Sequence, residues 1–240
     1  MKELVACWSH TRMIVLISMC AALYTAALIP FKVFVVIPGI FEIRPAAALP
    51  VLLSVFFGPA AAWGAAFGNT IGDFFGSISP GTFWGFLGNF VYAFVPYRVL
   101  RIYENSMPRW IALLFGSILA SALCATVIAL GVDYVQMAPF PVLFGLIFIN
   151  NTLLSVVLVP LLVPILEKRI QRLKLHYTQV MDPAEISGSM LRKVGPPILL
   201  VLVVLIYVVM ITPSLTESLP IKSIELALSL LLPMIALLIL

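Results

Sequence analysis

The feature that most constrains this chain is a series of apolar runs that continue without period-two alternation. They lie at 13–30, 46–57, 60–76, 81–97, 110–132, 140–166, 194–212 and 223–240. A bilayer core about 30 Å thick needs roughly 20 residues of helix to cross it. Continuous runs of this kind predict transmembrane helices and argue against a β-barrel, whose strands alternate. Composition agrees, since 62% of the residues are hydrophobic and 10% charged, against about a quarter charged in a soluble domain. The expected fold is an all-α membrane protein of about eight spans.

Charge sets the expected orientation. With a cytoplasmic N-terminus and the first span retained rather than cleaved as a signal peptide, the inner segments 1–12, 98–109 and 167–193 hold most of the basic residues. These are Lys2, Arg12, Arg98, Arg101, Arg109, Lys168, Arg169, Arg172, Lys174, Arg192 and Lys193, against Lys32, Arg44 and Lys222 outside. Basic residues collect in cytoplasmic loops, so the net charge of +4 is a topology signal and not a sign of nucleic acid. Cys7, Cys20 and Cys124 have no metal-ligand or disulfide spacing. His10 and His176 fall in the inner segments, which argues against an intramembrane His-dependent hydrolase. No P-loop, GxSxG, HExxH or acidic metal cluster occurs, so neither an enzyme nor a resident cofactor or metal is expected.

The first six runs are rich in Gly, Pro, Asn and aromatics, whereas the last two are nearly pure Leu, Val and Ile. The expected organisation is a six-helix core at 1–166, a basic cytoplasmic linker or interfacial helix at 167–193, and an accessory transmembrane hairpin at 194–240. The stretch 167–179, with Lys168, Arg169, Arg172 and Lys174 between Leu166, Ile170 and Leu173, reads as the sixth span continuing as a basic amphipathic helix.

Two kinds of residue stand out. Ser18, Ala22 and Ala26 recur every four residues, a smooth stripe that another helix can approach closely. In the third run Gly64, Gly68, Gly72 and Gly76 form one row and Ala61, Ala65, Asn69 and Asp73 a second. The fourth run answers with Gly81, Gly85 and Asn89, and with Gly88, Tyr92 and Pro96. These glycines predict a close antiparallel pair of the third and fourth spans. At about 1.5 Å per residue, Asn69 and Asn89 lie roughly 10–12 Å below the outer ends of their spans, and Asn150 and Asn151 about 15 Å. Polar groups at that depth are costly and face a cavity or a partner. On the same outer side, Glu42 and Arg44 share one face of an extended segment, and Arg44 offers a bidentate donor for an anion or carbonyl. The candidate ligand-binding residues are therefore Glu42, Arg44, Asn69, Asp73, Asn89, Tyr92, Asn150 and Asn151, with Trp63, Phe67 and Trp84 adding aromatic faces. Amides, one acid, one Arg and aromatics suit a flat, heteroatom-rich molecule. Interhelical hydrogen bonding is the structural alternative for the same groups.

The core resembles the substrate-binding S component of energy-coupling factor (ECF) transporters, which import vitamins and related micronutrients. The resemblance is carried by Ser18-Met-Cys-Ala-Ala-Leu-Tyr-Thr-Ala26, Phe41-Glu-Ile-Arg-Pro45, the run from Gly58 to Asp73, and Gly85-Phe-Leu-Gly-Asn-Phe-Val-Tyr92. It covers roughly residues 10–170. It implies a six-helix bundle in a prokaryotic cytoplasmic membrane, with a vitamin-like ligand bound beneath the loop joining the first two helices. It implies that Ser18, Ala22 and Ala26 contact the transmembrane coupling subunit, and that two cytoplasmic ATPases supply the energy. Two other readings stay open. One is a self-sufficient secondary transporter or channel using Asp73, and the other a non-transport cell-envelope scaffold. No internal repeat supports the former.

Overall fold

The computed structural model describes residues 2–33, 44–76, 78–186, 193–212 and 220–240, and no strand occurs among them. A short helix α1 (Lys2–Ala6) and a 3-10 turn (Cys7–Ser9) lead into α2 (Thr11–Val33). A second 3-10 turn (Pro45–Ala47) opens α3 (Ala48–Phe57). Then come α4 (Pro59–Phe74), α5 (Gly81–Ile102), α6 (Arg109–Tyr134), α7 (Phe140–Arg172), α8 (Tyr177–Val180), α9 (Gly195–Ile211) and α10 (Ile221–Ile239).

Among the described residues, four helical stretches are long and apolar enough to cross a membrane: Thr11–Pro30, Arg109–Tyr134, Phe140–Val180 and Ile221–Ile239. Pro45–Phe57 and Gly195–Ile211 are shorter apolar helices. The chain is therefore a multi-pass helical membrane protein. α6 is its axis, with 72% of its apolar window buried against 17% for α7. The large exposed side chains on α7, such as Val142, Ile149, Leu153 and Leu161, form the kind of surface that hydrocarbon solvates.

Polar contacts gather at two ends of the bundle. At one, Glu3 Oε1 accepts from Arg98 Nη1 (3.0 Å) and from Tyr97 Oη (3.0 Å). Arg109 pairs with Glu167 at 2.7 Å and His10 with Glu185 at 2.7 Å. Arg98 also donates to the Leu240 carbonyl. At the other end, Lys222 Nζ meets Asp133 Oδ1 and Glu225 Oε2, each at 3.0 Å. The long helices α2, α6, α7 and α10 extend between this Asp133 end and the Arg98 end. α3 and α4 turn at Gly58, where φ is +50° and an added Cβ would sit 2.8 Å from the Tyr177 ring. Both the backbone angle and the ring require glycine there.

Three expectations need correction. The segment from Arg98 was expected to be a basic loop, but α5 continues to Ile102 and Arg98 is buried. Its charge is tolerated because α1, which sequence patterning did not predict, brings Glu3 to it; a buried ion is stable only when paired. The glycine row of α4 serves α2, not α5. An added Cβ at Gly64 would lie 2.4 Å from Cys20 Cβ, and one at Gly68 2.8 Å from the Ala21 carbonyl. α4 and α5 do pack together, through the second row: Gly85 lies against Asn69, 2.7 Å from the amide nitrogen to an added Cβ. Gly88 instead receives Ile128 of α6. Finally, the amphipathic continuation of α7 stops at Arg172. Lys174 turns the chain with φ +54°, and α8 begins after it.

The expected hairpin region contains α9 and α10. It packs on α5, α6 and α7. Gly195 at the start of α9 lies against Ile239 at the end of α10, so the two helices are antiparallel.

Candidate functional site

The site grows from α2. Leu16, Cys20, Tyr24 and Leu28 make its buried row, and Tyr24 is the polar member. Its hydroxyl donates to Asn89 Oδ1 on α5 at 2.9 Å. The Asn89 amide in turn donates to the Gly85 carbonyl at 2.9 Å. On α4, Asn69 Nδ2 donates to Asp73 Oδ2 at 3.4 Å, one helical turn away, and both face Gly85. Thr25, beside Tyr24, donates to the Gly68 carbonyl at 2.9 Å and ties α2 to α4.

From α7, Asn150 Oδ1 accepts the Arg44 N–H at 3.0 Å. Its neighbour Asn151 points elsewhere, since adjacent helical residues are about 100° apart. The Asn151 carbonyl takes Tyr92 Oη of α5 (3.2 Å) and Ser155 Oγ (2.6 Å), and its amide nitrogen lies 3.7 Å from Cys124 Sγ of α6. Tyr24 lies within electrostatic reach of Arg44, Asp73, Tyr92 and Cys124. Polar groups from α2, α4, α5, α6 and α7 thus converge in the half of the bundle nearer the Asp133 end.

Of the residues expected from sequence, Arg44, Asn69, Asp73, Asn89, Tyr92, Asn150 and Asn151 all fall in or beside this cluster. Glu42 lies outside the described residues. Asn89 and Asn151 are buried and engaged with protein groups, so they bond helices together whatever else they do. Sequence reasoning passed over Tyr24, Cys124 and Ser155. Tyr24 was legible as the one hydroxyl-bearing aromatic on the four-residue row Leu16, Cys20, Tyr24, Leu28.

The opposite face of α2 carries Ser18, Ala22 and Ala26, all exposed. Ala22 and Ala26 are each two residues from Tyr24, about 200° round the helix. They line an open apolar groove of about 590 Å³ with Phe67 and Ile71 of α4. Trp8 stands at its Arg98 end, edge-on to Trp63 at 5.6 Å between ring centroids.

Comparison with known proteins now adds its finding. The family model for the QueT transporter matches residues 14–168, well over half of the chain. The chain belongs to the QueT transporter family. Members of this family are S components of ECF transporters, which bind small molecules and work with an ECF module. Neither the curated proteins nor the solved structures yield a match. The match takes in α2 to α6 and most of α7. It leaves α1, the segment 169–193 and the α9–α10 hairpin outside the family's common core.

Proposed function

We propose that this chain is the substrate-specific subunit of an ECF-type importer in a prokaryotic plasma membrane. It spans the bilayer about eight times, with the Arg98 end cytoplasmic and the Asp133 end outside. This orientation rests on charge: most of the described basic residues lie at the Arg98 end, with Lys32, Arg44 and Lys222 opposite. The ligand is captured from outside by Arg44, Asn69, Asp73, Asn89, Tyr92, Asn150 and Asn151, with Tyr24 positioning Asn89 and Glu42 closing the site above. The family name points to a queuosine precursor as the ligand. A heteroatom-rich ligand suits a lining of amides, a carboxylate, a guanidinium and aromatic rings.

One observation carries this reading. α2 holds Tyr24 against Asn89 on one face and presents Ser18, Ala22 and Ala26 to an open groove on the other. A single rigid helix can then join ligand binding to docking of the coupling subunit, whose partner ATPases supply the energy. The accessory hairpin is compatible with that docking, because it packs on α5, α6 and α7 and leaves the α2–α4 groove uncovered.

The test is a separation of binding from uptake. Ala22→Leu and Ala26→Leu fill the groove without touching the Tyr24 face. Both variants should bind ligand with wild-type affinity and abolish uptake by the complete transporter. Full uptake in both would remove the docking role from this stripe.

A further inference from the structure

At the Arg98 end, remote from the ligand cluster, a cavity of about 500 Å³ opens between α3, α5, the start of α6 and the segment around α8. Its polar lining includes Arg101, Tyr103, Glu104, Arg109, His176 and Thr178. Arg101 is three-quarters buried, and its nearest carboxylate oxygen, on Glu3, is 3.9 Å away. Glu3 is already spent on Arg98, which approaches both of its oxygens at 3.0 and 3.2 Å. Among the described residues, Arg101 Nη1 has no hydrogen-bond partner although it is buried. Its Nη1 thus lacks a hydrogen-bond acceptor within the protein, which a buried charged donor requires, while the side chain, about a quarter exposed, lines the cavity.

The surroundings add positive potential. Arg109 and Ala112 of the first turn of α6 line the cavity, and no side chain caps that helix start, which carries partial positive charge. Glu167 offsets Arg109 at 2.7 Å but also accepts from Gln171 at 3.2 Å. Glu104 is the carboxylate on the wall, and it is solvent-exposed. Beyond Glu167, Lys168, Arg169, Arg172 and Lys174 are all exposed. Burial raises the Tyr103 phenol above its ordinary value, so it stays protonated and donates to the Lys193 carbonyl at 2.9 Å.

We propose that this cavity is an anion site that binds a phosphate group through Arg101, Arg109 and the first turn of α6. The bidentate geometry of guanidinium matches two phosphate oxygens. A free phosphate and the headgroup of an anionic phospholipid share this chemistry. The cavity lies at the end of the bundle where the exposed lysines and arginines would meet lipid headgroups. The site is independent of the ligand cluster, and its occupancy needs no transported substrate.

The test uses the full chain, purified in detergent and in nanodiscs. Thermal stability is measured against added inorganic phosphate, with chloride at equal ionic strength as the control. Retained lipid is measured by native mass spectrometry in phosphatidylglycerol and in phosphatidylcholine. Protection by phosphate assigns the site to a free anion. Selective retention of phosphatidylglycerol without phosphate protection assigns it to a headgroup. In either case Arg101→Gln and Arg109→Gln should each weaken the effect about tenfold or more, the loss expected for a charged hydrogen-bond donor. Lys168→Gln with Arg172→Gln, exposed and outside the cavity lining, should change it by about twofold or less. If Arg101→Gln does not fold, Arg109→Gln at the exposed edge still decides. No effect of phosphate or phosphatidylglycerol, or equal effects in wild type and both arginine variants, overturns the site.

Discussion

Replacing Tyr24 by phenylalanine removes one oxygen and leaves the ring and its packing in place. In the wild type that hydroxyl is buried and donates to Asn89 Oδ1 at 2.9 Å. Without it, the Asn89 oxygen loses its interhelical donor in a site closed to water. An abandoned buried acceptor costs about 1–3 kcal/mol, so the unliganded protein should lose about that much stability. The consequence for binding separates two roles. If the bond aims Asn89 at the ligand, Tyr24→Phe should also weaken ligand affinity about 5- to 100-fold, since about 1.4 kcal/mol is one decade. If the pair only bonds α2 to α5, stability falls and affinity stays. Thermal unfolding in detergent gives the first quantity and titration calorimetry the second. A Tyr24→Phe protein with reduced stability and wild-type affinity would refute the positioning role. An Asn89→Ala protein should show the same two losses, and the double variant should lose less than the sum, because the two residues share one bond.

Three further outcomes follow from the packing. Gly64→Ala places a Cβ 2.4 Å from Cys20 Cβ, so α2 and α4 must separate; overpacking of this kind costs about 1–3 kcal/mol, readable as a lower unfolding midpoint. Lys222→Met removes the ammonium shared by Asp133 and Glu225 and leaves Glu225 buried without it, so protease cleavage between α9 and α10 should accelerate. Cys7 is buried, which pushes its thiol up to about 12, and Cys20 and Cys124 are buried as well. Native protein should therefore resist maleimide at neutral pH, giving a clean background in which a cysteine at Asp133 labels from outside intact cells and one at Arg101 does not.

The helical membrane class was legible because membrane helices announce themselves through length and apolarity. The polar cluster was legible from depth: Asn69, Asn89 and Asn150 sit at similar distances from their helix ends, and the structure brings them towards one region. Close approaches were less so. A glycine row says that some backbone comes near, but its direction depends on helix rotation, and Gly64 and Gly68 turned towards α2. Arg98 was read as a loop residue because its partner Glu3 lies 95 positions away in the chain. No local pattern reveals a pairing of that separation. The row on α2 marks Tyr24 as a buried polar residue, but its partner Asn89 stands 65 positions away, so the bond between them was not legible.

The central claim is that this chain binds a small molecule alone and transports it only with a partner module. It is tested most directly by measuring both activities with one ligand, a queuosine precursor. Purified chain should bind it without ATP, and cells should accumulate it only when the coupling subunit and ATPases are co-expressed. Uptake by the chain alone would contradict the account and favour a self-sufficient transporter using Asp73. Absence of binding by correctly folded protein would remove the queuosine-precursor assignment.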